Sequence, residues 1–260
     1  MKPVEIEPKD KHIADMLEFV RDGHSVELKL TVQDTDRHSA INSLGMDVLD
    51  AELRQAVFFD TPDLKLNRSG IVVRARRMPK GGDTTIKLRP VVPAELPREL
   101  HQSASFKLEV DAMPGSVVCS GSLKARADNS EVKQVLRDER STLKLFSREQ
   151  RNFYKKHAPK GISLDSLTAF GPINIAKLKW TPPGFTRFLV AEMWFYPDGT
   201  RLLELSIKCK ANEAFHVLAE ARIFLLKRGI SLTGAQEMKT RKALEYFSRM
   251  HKGKRGAIAA

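Results

Sequence analysis

The chain has 260 residues, 42% hydrophobic and 29% charged, with 44 Lys and Arg against 32 Asp and Glu and a formal charge of +12. These values fit a globular protein with a sizeable core, one large β-rich domain or two small ones, and exclude a low-complexity chain. No apolar run approaches membrane-spanning length and the first residues lack the apolar core of a signal peptide, so a soluble, cytoplasmic protein without membrane partners is expected. The charge predicts attraction to polyanions, which leaves phosphorylated small molecules, nucleic acid and anionic membrane surfaces open. Only Cys119 and Cys209 are present, without the spacing of a metal or redox pair and too few for a disulfide framework.

Residues 11–21 carry Ile13, Met16, Leu17 and Val20 at helical spacing before Asp22-Gly23, which predicts a helical extension over 1–23. A strand over 25–31 follows, then a helix over 34–44. Ala56-Val57-Phe58-Phe59 is β-prone and stops at Asp60-Thr61-Pro62-Asp63. Strands over 71–77 and 84–89 flank Pro79-Lys80-Gly81-Gly82-Asp83, a hairpin signal, and a proline-bearing loop leads to a strand over 105–111. Dense charge with Val132, Val135, Leu136 and Leu143 predicts an exposed helix over 129–145. Strands are expected over 150–155, 162–167 and 173–180, then a hairpin of 188–196 with 201–208 around Pro197-Asp198-Gly199-Thr200. Two helices, 211–228 and 235–249, close the domain, and the basic stretch 250–260 reads as a disordered tail. The domain itself is placed at 24–249.

Five of these segments put ionised residues two apart on an apolar backbone: Glu27-x-Lys29, Arg74-x-Arg76, Lys87-x-Arg89, Lys107-x-Glu109-x-Asp111 and Glu204-x-Ser206-x-Lys208. A period of two sends the charges to one strand face and the hydrophobes to the other. A half-solvated antiparallel sheet alternates in the same way. Arg74 with Arg76, Lys87 with Arg89, and Glu109 with Asp111 go further, because like charges on one face repel unless a counter-ion lies between them. So many strands between flanking helices point to an α+β fold built on a closed or nearly closed antiparallel barrel. Charged faces can line its interior only if that interior admits water, metal and ligand.

Val26-Glu27-Leu28-Lys29-Leu30, Phe58-Phe59-Asp60-Thr61-Pro62-Asp63-Leu64, Gly70-Ile71-Val72-Val73-Arg74-Ala75-Arg76 and Ile86-Lys87-Leu88-Arg89 together resemble the CYTH domain, also called the triphosphate tunnel metalloenzyme family. The likeness continues through Leu164-Asp165, Leu203-Glu204-Leu205-Ser206 and Lys239, in order, over roughly 24–248. It implies an eight-stranded antiparallel barrel, a tunnel, with flanking helices. It also implies Mg²⁺- or Mn²⁺-dependent hydrolysis of a triphosphate-bearing small molecule. Adenylate cyclase activity on ATP and binding without turnover are the alternatives.

On that resemblance Arg74, Arg76, Lys87, Arg89, Arg151 and Lys239 hold phosphate, with Lys29 joining Glu27 in catalysis. Glu27, Glu109, Asp111, Asp165 and Glu204 are the metal ligands or their support. Paired guanidinium forks suit phosphate oxygens, and carboxylates suit a hard divalent ion. Arg148 competes with Arg151 on the opposite strand phase, and Glu192 reads equally as a rim carboxylate or a metal ligand. Arg76→Ala is expected to abolish turnover without unfolding the protein. Ser25 and Ser206 stand where the family pattern has carboxylates. Glu5-Ile6-Glu7-Pro8-Lys9 matches the family's opening motif by letter, but Pro8 would interrupt an interior strand. Nucleic acid is a less favoured partner, since no stacking aromatic series accompanies the charge, and a homodimer stays open.

Overall fold

The computed structural model describes residues 25–232 and 239–258, so the expected 11–21 helix lies outside the described residues. Nine strands form one closed barrel: β1 (Ser25–Val32), β2 (Glu52–Asp60), β3 (Ile71–Met78), β4 (Gly81–Leu88), β5 (Phe106–Met113), β6 (Ser116–Ala127), β7 (Thr168–Trp180), β8 (Leu189–Phe195) and β9 (Arg201–Cys209). Their order around the barrel is β1-β5-β6-β4-β3-β2-β7-β8-β9. The helices are α1 (Arg37–Ser43), α2 (Lys65–Arg68), α3 (Arg98–Gln102), α4 (Asn129–Leu136), α5 (Thr142–Leu145), α6 (Arg148–His157), α7 (Ala214–Lys227) and α8 (Lys239–Ile258). No described helix is long and apolar enough to cross a membrane.

The α+β barrel expected from the alternation is present, but it has nine strands rather than eight and is mixed rather than antiparallel. β1 lies parallel to β5, with Glu27 opposite Asp111, while every other pairing is antiparallel. Closing the barrel brings the first strand beside the fifth, and alternation carries no record of direction. The helix α8 continues to Ile258, through most of the stretch expected to be a disordered tail.

Two segments expected as strands are helical. Residues 150–155 belong to α6, whose start is fixed by a reciprocal cap between Ser147 and Gln150. Residues 164–166 form a single 3-10 turn. Gln150 also anchors α6 to the barrel: its buried amide donates to Thr84 O and Leu123 O, each at 3.1 Å, and accepts from Thr84 Oγ1 at 2.8 Å. Gln150→Leu should therefore cost about 2–3 kcal/mol, the penalty of orphaned buried carbonyls and a hydroxyl. Urea unfolding measures this, and an unchanged midpoint would show that the helix is held by other contacts.

The outward strand faces bury the main core. Val26, Leu28 and Leu30 of β1, Val73 and Ala75 of β3, and Leu205 and Ile207 of β9 join Leu44, Val132, Phe153, Val217 and Phe224 of the surrounding segments in one cluster. A second cluster gathers Ala56, Phe58, Phe170, Ile173, Trp194 and Leu202 with Ala243 and Leu244 of α8. Register places it on the other face: Phe58 is opposite Arg74, and Trp194 and Leu202 lie two residues from Glu192 and Glu204. Part of the barrel interior is thus apolar, and α8 packs against that part.

Candidate functional site in the barrel interior

Residues directly opposite on neighbouring strands share a face, so the register can be followed around the wall. Glu27 stands opposite Asp111 on one side and Lys208 on the other. Lys29 faces Ser206, Glu204 faces Glu192, and Glu192 faces Lys177. Arg76 faces Asp83, and Lys87 shares the phase of Asp83 within β4. All five alternating segments of the sequence therefore turn their charges to one interior surface.

Three ion-pair clusters occupy that surface. Asp111, fully buried, meets Lys29 at 2.7 Å, Arg89 at 3.2 Å and Lys87 at 3.7 Å, while Glu27 touches Lys29 at 3.2 Å. Glu109 meets Lys208 at 2.7 Å and Lys87 at 4.0 Å. In the second cluster Arg76 chelates Asp83 through Nε at 3.0 Å and Nη2 at 2.7 Å, with Lys124 3.2 Å from the same carboxylate. In the third, Lys239 lies 2.6 Å from Glu204 and contacts Glu192, which also meets Lys177 at 3.4 Å.

The charges set their own titration. Burial opposes ionisation of Asp111, but Lys29, Lys87 and Arg89 outweigh it and draw the carboxyl down to about 2. Glu192 is lowered in the same way by Lys239 and Lys177 against its burial. Burial would lower Lys29 and Lys239, yet Glu27 and Asp111 raise the first, and Glu192 and Glu204 the second. Lys87 is lowered, burial being the largest cause.

Arg74 differs from all of these. Its Nε is buried without a hydrogen-bond partner, and no ion pair joins it among the described residues. Burial, then the neighbouring Arg76, push its guanidinium down to about 10, still charged at neutral pH. A buried guanidinium nitrogen left without a partner is costly, and a bound anion would offset that cost. Arg89 Nη2 is also buried and unsatisfied.

Of the residues singled out in the sequence, Glu27, Lys29, Arg74, Arg76, Lys87, Arg89, Glu109, Asp111, Glu204 and Lys239 come together inside the barrel. Arg151 and Asp165 do not. Arg151 rides on α6 and donates to Phe146 O at 3.0 Å, because its segment is a helix and not a barrel strand. Asp165 is exposed and caps α5, accepting from Ser141 Oγ at 2.6 Å and Leu143 N at 2.9 Å.

Asp83 is not among the residues singled out in the sequence, where it falls within a turn signal. Its phase with Thr85, Lys87 and Arg89 is the feature that places it on the wall. It changes the expectation for Arg76, whose loss would strand a buried carboxylate. Lys177 and Lys124 are further wall cations that single strands do not reveal.

The carboxylates do not fit a protein-built Mg²⁺ or Mn²⁺ centre. Every interior candidate has a Lys or Arg nitrogen within 4.0 Å, Ser25 and Ser206 contribute no charge, and no three His, Cys, Asp or Glu groups converge among the described residues. The interior acids are each engaged by a cation of the wall.

No protein-family model and no curated protein matches the chain. Solved structures do. A candidate adenylate cyclase from Bacillus halodurans is similar at TM-score 0.59 with 16% identity, covering 84% of this chain and 97% of that one. A candidate adenylyl cyclase from Hippeastrum with a dominant triphosphatase activity is similar at TM-score 0.56 with 17% identity, covering 81% of this chain and 91% of that one. These likenesses show the fold, which is that of the CYTH or triphosphate tunnel barrel.

Proposed function

We propose that this CYTH-fold barrel binds the phosphate chain of a triphosphate compound along its cationic wall and hydrolyses a terminal phosphoanhydride bond there. The observation that carries the reading is Arg74, whose Nε is buried without a hydrogen-bond partner and which no ion pair joins among the described residues. Lys87 of the neighbouring strand and Arg89 just beyond its end extend the same surface, and Arg89 Nη2 is likewise free to donate. Phosphoryl transfer needs positioning and charge stabilisation more than covalent chemistry from the protein. Arg74, Arg89 and Lys87 would fix the chain and neutralise the charge that spreads over the equatorial oxygens of the transferred group. Glu27, with 27% of its side chain exposed beside Lys29, is the acid placed to orient an attacking water.

A specific observation favours a second reading, binding without turnover: Ser25 and Ser206 replace acids of the family pattern, and the remaining carboxylates are engaged by cations. One screen separates the readings. Purified protein is offered tripolyphosphate, thiamine triphosphate and ATP, with orthophosphate and cyclic AMP both measured and binding followed by calorimetry. Orthophosphate release that disappears in Arg74→Ala is the expected result. Tight binding with neither product would support the second reading, and absence of binding would overturn both.

A further inference from the structure

Glu192 and Glu204 are direct cross-strand partners on β8 and β9, so their carboxylates project side by side into the interior. Two buried acids in that relation repel each other unless a cation lies between them. A divalent ion could meet that need. In this chain the ammonium of Lys239 meets it instead, in contact with Glu192 Oε2 and 2.6 Å from Glu204 Oε1. Lys177 reaches the other oxygen of Glu192 at 3.4 Å, and the Trp194 indole donates to Glu192 Oε2 at 3.3 Å. Together the two ammonium groups supply two positive charges, the charge of one divalent ion, against two carboxylates.

Lys239 is also fixed in place. It belongs to α8, its carbonyl accepts from Tyr196 Oη at 3.2 Å, and its ammonium lies 5.2 Å from the centre of the Trp194 ring. A metal arriving here would have to displace an ammonium already held by both acids and would find both Glu192 oxygens occupied.

We propose that Lys239, backed by Lys177, permanently takes the place of a divalent cation between Glu192 and Glu204, so that the barrel accepts its polyphosphate ligand as the free, metal-uncomplexed anion. This rests on the triphosphate reading for the ligand, whereas the claim about the cation position stands on the protein alone.

Two measurements keep the parts distinct. Mn²⁺ titration of ligand-free protein, followed by electron paramagnetic resonance, should show no stoichiometric site in the wild type. Lys239→Ala should gain one, with affinity raised roughly tenfold or more because an uncompensated acid pair now seeks a cation, and Lys239→Ala/Glu204→Gln should lose it again. Stoichiometric Mn²⁺ binding by the wild type would overturn the proposal, and it requires no variant to fold.

In the second measurement, calorimetry with tripolyphosphate in chelator should give undiminished affinity, and excess Mg²⁺ should weaken apparent binding by withholding the free anion. Binding that requires Mg²⁺ would overturn the proposal. If tripolyphosphate bound under neither condition, the triphosphate reading would fail, while the Mn²⁺ titration would still decide whether Lys239 replaces a metal.

Discussion

Arg74→Met is expected to make the ligand-free protein more stable and to abolish its binding of tripolyphosphate. The Nε is buried and unsatisfied beside Arg76, and burial with that like charge outweighs the attraction of Asp83, Glu192 and Glu109, so the folded state carries a net cost for the Arg74 charge. Methionine fills similar space next to Phe58 and Ala56 of the interior apolar cluster without that cost. A gain of about 1–2 kcal/mol would raise the melting temperature by roughly 3–6 °C for a chain of this size. Loss of a charge-assisted fork to phosphate should weaken tripolyphosphate at least about a hundredfold.

Arg76→Met should behave in the opposite way. It removes the bidentate partner of Asp83, 2% exposed, leaving Lys124 at 3.2 Å and the charge of Arg74, and should cost about 3 kcal/mol. Differential scanning calorimetry and ligand titration on the two variants read both effects. A destabilised Arg74→Met would mean that Arg74 has a structural partner after all, and unchanged binding would remove it from the site. Two arginines that look equivalent in the sequence are thereby assigned different work, one holding the wall and one meeting the ligand.

The period-two segments were legible because each of the five couples charges on one face with buried hydrophobes on the other. Where that coupling fails, the sequence misleads. Strand β6 contains Ser120, Gly121 and Ser122, a weak β signature. Gly121 is required because a Cβ there would lie 2.5 Å from the Phe106 ring on the adjoining strand, a contact that only the pairing of β5 with β6 creates. The segment 150–155 alternates by accident. The cap formed by Ser147 and Gln150, three residues apart, is the stronger signal, and it starts a helix.

The roles of the charges were less legible than their positions. Alternation reports that Arg74 and Arg76 share a face, but only the pairing of β3 with β4 sets Asp83 against one of them. The same holds for Lys239, far along the chain from the acids that it joins. Asp165 and Arg151 show the converse. Their motifs resemble those of the family, yet both sit on short helical elements outside the wall, where local capping and a carbonyl contact account for them.

The second large effect concerns Asp111, among the described residues the one acid in contact with Lys29, Lys87 and Arg89 together. Asp111→Asn leaves three part-buried cations without their shared counter-charge and should cost about 3 kcal/mol. The pH dependence follows from the lowered carboxyl. A folded pKa of about 2 against an ordinary value of 3.8 means that the ionised form stabilises the fold. This contribution, about 2 kcal/mol, is fully present above about pH 4 and is lost as pH falls from there through about 2. Wild-type stability should therefore drop over that interval more steeply than that of Asp111→Asn, as measured by urea unfolding at successive pH values. Matching slopes would show that Asp111 is not the group responsible. The variant should also respond more strongly to ligand: tripolyphosphate supplies the negative charge that the neutral amide cannot, so at neutral pH it should raise the midpoint of Asp111→Asn more than that of the wild type. If the two midpoints moved equally, the cations around Asp111 would not be those that meet phosphate, and the ligand would have to be placed on the Arg74 side of the wall alone.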